Sequence, residues 1–257
     1  MKSFCFTVDD NIRFLRELTE GEYGSLFDHP YLVMYKRLRE KYGVCVQLNL
    51  FYSAEGFDLS RMTDRYAEEW RENAHWLKMS FHSERENVRP YEFSGYAQVY
   101  GDCERVHKEI SRFASEASLA KTTTVHYCLA TPEGLRALKD NGVEGLLGLY
   151  GTVDAPRASY QSTPEECEMI RQGNAPLCDG IRYGGIDIVL NTCSRDEILR
   201  RLAELARRSR VRIMIHEQYF YPDYRKYQSD FEEKLDAAFA FLTENGFESI
   251  FFENEET

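Results

Sequence analysis

Short apolar or β-branched runs recur along the chain, separated by helix-patterned sequence, and this rhythm admits few folds. The runs are SFCFTV (3–8), VCVQLNLFY (44–52), LKMSF (77–81), TTTVHYCL (122–129), GLLGLY (145–150), GIDIVL (185–190), VRIMI (211–215) and SIFF (249–252). Runs of this length without strict alternation read as strands covered on both faces. Between them, side chains able to accept from first-turn amides mark helix starts. Thr163 with Glu166, Ser194 with Glu197 and Ser229 with Glu232 have capping-box spacing, and Pro164 suits a first helical position. Thr131 before Pro132 and Glu133 is a further start, and Asn141-Gly142 and Asn245-Gly246 are stops. Over 94–114, Val99, Cys103, Val106, Ile110 and Phe113 form one apolar helix face. Strand and helix alternating along the chain predict α/β architecture with about seven to eight mostly parallel strands, closed into a barrel or doubly wound. Residues 151–180 break the rhythm and read as an excursion with one short helix.

Size and charge bound the function classes. A chain of 257 residues, 43% hydrophobic, is expected to form one barrel-sized domain over 1–257. A formal net charge of -11 without a basic run speaks against nucleic acid as partner. No apolar stretch is long enough to span a membrane, and MKSFCFTVDD lacks signal-peptide character, so the expected location is cytoplasmic, away from membranes. The seven cysteines are scattered and never spaced CxxC, which argues against a disulfide framework or a thiolate zinc site.

In such folds chemistry gathers where the strands end at their carboxyl edges. The first run ends in Asp9 and Asp10, the third in His82 and Ser83, the fourth contains His126, the sixth holds Asp187, and the seventh ends in His216 and Glu217. Three of the six histidines thus fall at strand ends, whereas His29, His75 and His107 lie in helical or loop context. Two adjacent carboxylates, one for a cation and one for a water, suit metal-assisted hydrolysis. His82 and Glu86 lie four apart and share a face if the turn between them is helical.

The ordered set TVDD (7–10), HSERE (82–86) and IHE (215–217) resembles the polysaccharide deacetylase, or NodB-homology, family over about residues 3–253. The resemblance implies a distorted, partly open (β/α) barrel and a metal-dependent deacetylase. It assigns Asp9 as catalytic base, Asp10 and His82 as metal ligands and His216 as general acid. Three positions depart from the family pattern: Glu86 replaces the second histidine of the HSxxH motif, His126 and Tyr127 replace the arginine-proline motif, and Glu217 replaces the final aspartate. The third ligand is then Glu86, His126 or water. Two imidazoles with the Asp10 carboxylate suit zinc or another first-row ion such as cobalt, nickel or manganese, while a carboxylate-rich site leans to magnesium or manganese; zinc is favoured.

Tyr127, Glu217, Tyr219 and Tyr221 are candidates to line a sugar site, and Asp187 is a candidate to orient a motif histidine. The expected reaction removes an acyl group from a small carbohydrate or other acylated substrate. The alternatives are an inactive carbohydrate-binding or regulatory protein on the same barrel, and a cyclic-amide hydrolase.

Overall fold

A computed structural model describes residues 2–86, 91–152 and 154–255. The strands are β1 Lys2–Asn11, β2 Val46–Ala54, β3 Phe57–Asp58, β4 Leu77–Arg85, β5 Thr122–Thr123, β6 Gly145–Gly148, β7 Leu177–Cys178, β8 Ile181–Gly185, β9 Ile188–Val189, β10 Arg210–His216 and β11 Phe247–Ser249. The helices are α1 Arg13–Glu20, α2 Pro30–Tyr42, α3 Ala67–Asn73, α4 Tyr96–Phe113, α5 Pro132–Asp140, α6 Pro164–Arg171, α7 Arg195–Leu205 and α8 Phe231–Glu244.

One sheet has the order β3-β2-β1-β10-β9, with β4 on β2 and β11 on β1, and the other has the order β5-β6-β8-β7. Every ladder is parallel except β2 with β3 and β7 with β8. On one flank the link from β8 to β9 joins the sheets, with Ile186 N donating to Gly148 O and Asp187 N to Arg212 O. On the other, an isolated Met79–Leu119 bridge and the Thr123 hydroxyl on Phe81 O span the gap. The result is a distorted (β/α) barrel whose ladders do not close.

The two faces of β1 explain why its run is continuous. Phe4 and Phe6 pack outward on Phe239 of α8, and Phe6 also meets Tyr35 of α2. The alternate residues face inward: Cys5 joins Leu147, Ile186, Met214 and Phe252 in a small inner cluster. Below it Arg212 and Glu255, both almost fully buried, form a two-point ion pair that closes the barrel floor. Above it the interior turns polar, through Thr7, Gln47 and Asn49, towards the carboxyl ends of the strands.

Helix ends follow local chemistry in most places. Thr163 forms a full capping box with Glu166, and the Ser194 and Thr131 hydroxyls accept from Glu197 N and Gly134 N. The box expected at Ser229 does not form. Helix α8 instead starts at Phe231, whose amide donates to Gln228 O, so a preceding turn takes over the capping. The excursion contains α6 and the short strand β7. The strand expected over 122–129 stops at Thr123; a single turn follows at His126–Cys128, with Tyr127 (φ 63) and Cys128 (φ 57) left-handed. Tyr160 from the excursion holds that turn: its hydroxyl accepts from Val125 N at 3.0 Å and donates to Leu147 O at 2.7 Å, drawing the backbone off the sheet. Among the described residues, no helix is long and apolar enough to cross a membrane.

Candidate metal centre

Adjacent residues of a regular strand point to opposite faces, so Asp9 and Asp10 reach one pocket only because β1 is irregular. Its register against β2 runs Val8↔Leu48 and then Asn11↔Leu50, so one extra residue is accommodated there, and Asp10 takes a left-handed φ of 63. Such a bulge re-aims side chains. Asn11 braces it, its Nδ2 donating to Val8 O at 2.6 Å and Asn49 O at 3.2 Å. Strand β4 has a matching irregularity, since Leu50↔Phe81 is followed by Phe51↔Ser83 and His82 is the extra residue. The third contributor, His126, sits on the turn held by Tyr160.

These three side chains converge. His82 Nε2 lies 3.0 Å from Asp10 Oδ1 and 3.0 Å from His126 Nδ1, and His126 Nδ1 lies 3.3 Å from Asp10 Oδ1. Among the described residues this is the one group of three or more His, Cys, Asp or Glu with ligand atoms close enough to share an ion. Ligands about 2.0 to 2.1 Å from a cation stand roughly 2.9 Å apart in octahedral and roughly 3.4 Å apart in tetrahedral geometry, and the observed spacings of 3.0 to 3.3 Å fall between. The donor chemistry also fits. His82 Nδ1 is engaged by the Thr124 carbonyl, so its proton sits there and the Nε2 lone pair faces the cluster. Burial opposes ionisation of Asp10, yet the adjoining imidazoles of His126, His82 and His216 outweigh it and hold the carboxyl well below the usual range. Burial pushes His82 down, towards the neutral form a ligand needs.

A pocket of about 480 Å³ opens over the cluster, lined among others by Asp9, Glu86, Tyr127, His216 and Tyr219. Asp9 is buried and accepts from Asn49 Nδ2 at 2.7 Å; burial drives its carboxyl well above the ordinary value, against that hydrogen bond. His216, paired with Asp9 in the β1–β10 register, has Nδ1 2.9 Å from Asn191 Oδ1, and burial lowers its pKa. Glu86 is exposed at the pocket mouth and stands outside the cluster, whose third member is His126. Partial burial and the Asp10 charge push Glu86 up. Tyr127 is 44% exposed at the rim with its ring 4.1 Å from that of His126, and Tyr219 stacks edge-on with Tyr224 at 5.3 Å.

Three residues expected at the site face elsewhere. Glu217 is fully buried against the start of α1, where Oε2 accepts from Ile12 N (2.7 Å) and Arg13 N (3.0 Å) and Oε1 from Phe14 N (2.8 Å). Helix α1 has no capping side chain of its own, so Glu217 serves as its cap from across the sheet. Burial pushes this carboxyl up to about 7 despite the three amides. Tyr221 packs between Tyr31 and the Arg13 guanidinium, with its hydroxyl on Glu217, away from the pocket. Asp187 accepts from Arg208 Nη1 (2.7 Å) and Arg212 N (2.8 Å) and opens onto a separate cavity of about 340 Å³, while Asn191 takes the orienting position beside His216. Conversely, Gln218 was not singled out from the sequence. Its Nε2 donates to Asp10 Oδ2 at 2.7 Å, leaving Oδ1 for the imidazoles, and its own Oε1 is buried with no partner among the described residues. Its position directly after the IHE motif is the only signal that marks it in the sequence.

Neither a family model nor a curated protein sequence matches the chain. Solved structures do. A CE4 family pseudoenzyme from Bacillus anthracis aligns with a TM-score of 0.53 at 10% identity over 98% of this chain and 64% of its own. A polysaccharide deacetylase from Bacillus cereus aligns at 0.52 with 12% identity over 100% and 96%. A 4-alpha-glucanotransferase from Thermococcus litoralis aligns at 0.63 with 14% identity over 98% and 40%. The chain therefore spans just under two thirds of the pseudoenzyme and well under half of the transferase. At these identities the likeness establishes the fold, that of the NodB-like (β/α) barrel, and the same scaffold carries more than one chemistry.

Proposed function

We propose that this chain is a metal-dependent hydrolase that removes an acyl group, acetyl in the simplest case, from a sugar-like substrate. The convergence of Asp10, His82 and His126 beneath a pocket that also holds Asp9 and His216 carries this reading. Asp10, His82 and His126 would hold one divalent ion, and two nitrogens with one carboxylate favour zinc or another first-row ion over magnesium. Such an ion polarises an acyl carbonyl and lowers the pKa of a water from about 16 towards about 7.

The remaining steps fall to side chains. Asp9 takes the proton of the attacking water, and its desolvated carboxylate is a stronger base than one in solvent. Asn191 engages His216 Nδ1, so Nε2 is the nitrogen available to hand a proton to the departing nitrogen or oxygen. Water adds to the acyl carbon, the bond to the sugar nitrogen or oxygen breaks, and acetate leaves with a free amino or hydroxyl group. Tyr127, Tyr219 and Tyr224 offer ring faces to the sugar.

A second reading is a sugar-binding protein without turnover. The altered ligand set, with Glu86 outside the cluster and His126 within it, supports it, as does the shared fold of the Bacillus anthracis pseudoenzyme. Acetate release from acetylated sugars by the metal-loaded protein separates the two. The hydrolase loses release on chelation and in Asp9→Asn while that variant keeps its metal; sugar binding with no release by the wild type selects the second reading.

A further inference from the structure

The pocket carries two cations that hydrolysis does not require. Arg157, from the excursion, and Lys226, from the segment after β10, both line it, in a chain whose net charge is -11. Arg157 is fixed in place: its backbone N donates to Tyr150 O at 3.2 Å and its Nη2 to Tyr127 O at 2.9 Å. Only the Nη2 donation draws on the guanidinium fork, and among the described residues neither Arg157 nor Lys226 has an ion-pair partner. The carboxylates on the same lining are Asp9, Asp10 and Glu86. They outnumber the two cations by one, so a divalent ion at the triad turns the pocket net positive. A positive recess on an acidic protein concentrates anions and rejects other polyanionic surfaces.

We infer that the acylated substrate is itself acidic, carrying a carboxylate or phosphate on or beside the sugar that Arg157 and Lys226 receive. An arginine fork matches either group in two-point geometry, and a lysine adds a mobile point charge. The inference takes its acyl group, and the divalent ion that turns the pocket net positive, from the hydrolase reading; the groups that receive the anion are the two cations.

Calorimetry on the zinc-loaded Asp9→Asn protein tests it with three probes: N-acetylglucosamine, its 6-phosphate and N-acetylmuramic acid, the last two presenting phosphate and carboxylate. At least one acidic probe binds about tenfold or more tighter than the neutral sugar at low salt, and the gap narrows several-fold at about 0.5 M salt. Adding Arg157→Gln and Lys226→Gln removes most of the gap and leaves the neutral probe unchanged. Equal affinity for all three, binding of none, or a preference that survives the double substitution overturns the inference. Acetate release by the wild type keeps the outcomes apart. Turnover without acidic preference sinks only the anion site, and acidic preference without turnover sinks only the hydrolase.

Discussion

Replacing Glu217 separates a structural cap from a sugar contact. In Glu217→Ala the amides of Ile12, Arg13 and Phe14 lose their acceptor, and Ile12 and Phe14 are buried. An unsatisfied buried donor costs about 1–3 kcal/mol, and the three are coupled, so about 3–5 kcal/mol is expected for the set. In Glu217→Gln the side-chain oxygen can still serve the Ile12 and Arg13 pair, but its NH2 then faces the Phe14 N–H, donor against donor; about 1–3 kcal/mol is expected. At roughly 2–4 °C per kcal/mol for a chain of this size, alanine lowers the melting temperature by about 6–20 °C. Urea titrations give the free energies, and metal content is measured in parallel. The glutamine variant retains its metal, because the ligands lie on β1, β4 and the His126 turn. Wild-type stability in Glu217→Gln combined with weakened sugar binding would refute the capping argument.

Three further outcomes follow from the same geometry. Gln218→Leu frees Asp10 Oδ2 and removes a buried oxygen that has no partner among the described residues, so metal affinity falls about 10-fold or more by equilibrium dialysis, while urea stability stays within about 1 kcal/mol. Glu255→Ala leaves the Arg212 charge buried and costs about 3–5 kcal/mol in urea, whereas Arg212→Met with Glu255→Leu costs less than the single substitution. Burial lowers the His107 pKa to about 4, so the stability this neutral imidazole contributes is whole above about 6.5 and drains away as pH falls through that window. Partial exposure limits the loss to about 1–3 kcal/mol, and His107→Gln flattens the stability profile between those two pH values.

The strand-helix rhythm was readable because strands covered on both faces must be apolar throughout, and the lengths of the β1, β4 and β10 runs carried that signal. Asp9, Asp10, His82 and His216 were readable as strand-end polar residues for the same reason. What brings them together was not: nothing in TVDDN announces the bulge that lets Asp9 and Asp10 share a pocket, and nothing in LKMSFHS marks His82 as an inserted residue. The run TTTVHYCL has strand-forming residues to its end, and only a tyrosine more than thirty residues later, Tyr160, draws it off the sheet at His126. The role of Glu217 left a trace: α1 begins at Asn11-Ile12-Arg13 with no capping side chain, which leaves amides in need of a distant acceptor. Asp187 misled because its partners, Arg208 from the bend before β10 and Arg212 from β10 itself, are brought to it by the placement of β10 beside β9, which the sequence does not state.

Metal content of the protein after exhaustive dialysis against a low concentration of zinc tests the central claim most directly, with Asp10→Asn, His82→Gln and His126→Gln carried alongside. One ion per chain in the wild type, lost or greatly weakened in each of the three variants and kept in Glu86→Gln, is the expected result. A wild type that retains no divalent ion, or one whose ion survives His126→Gln but leaves with Glu86→Gln, would contradict it.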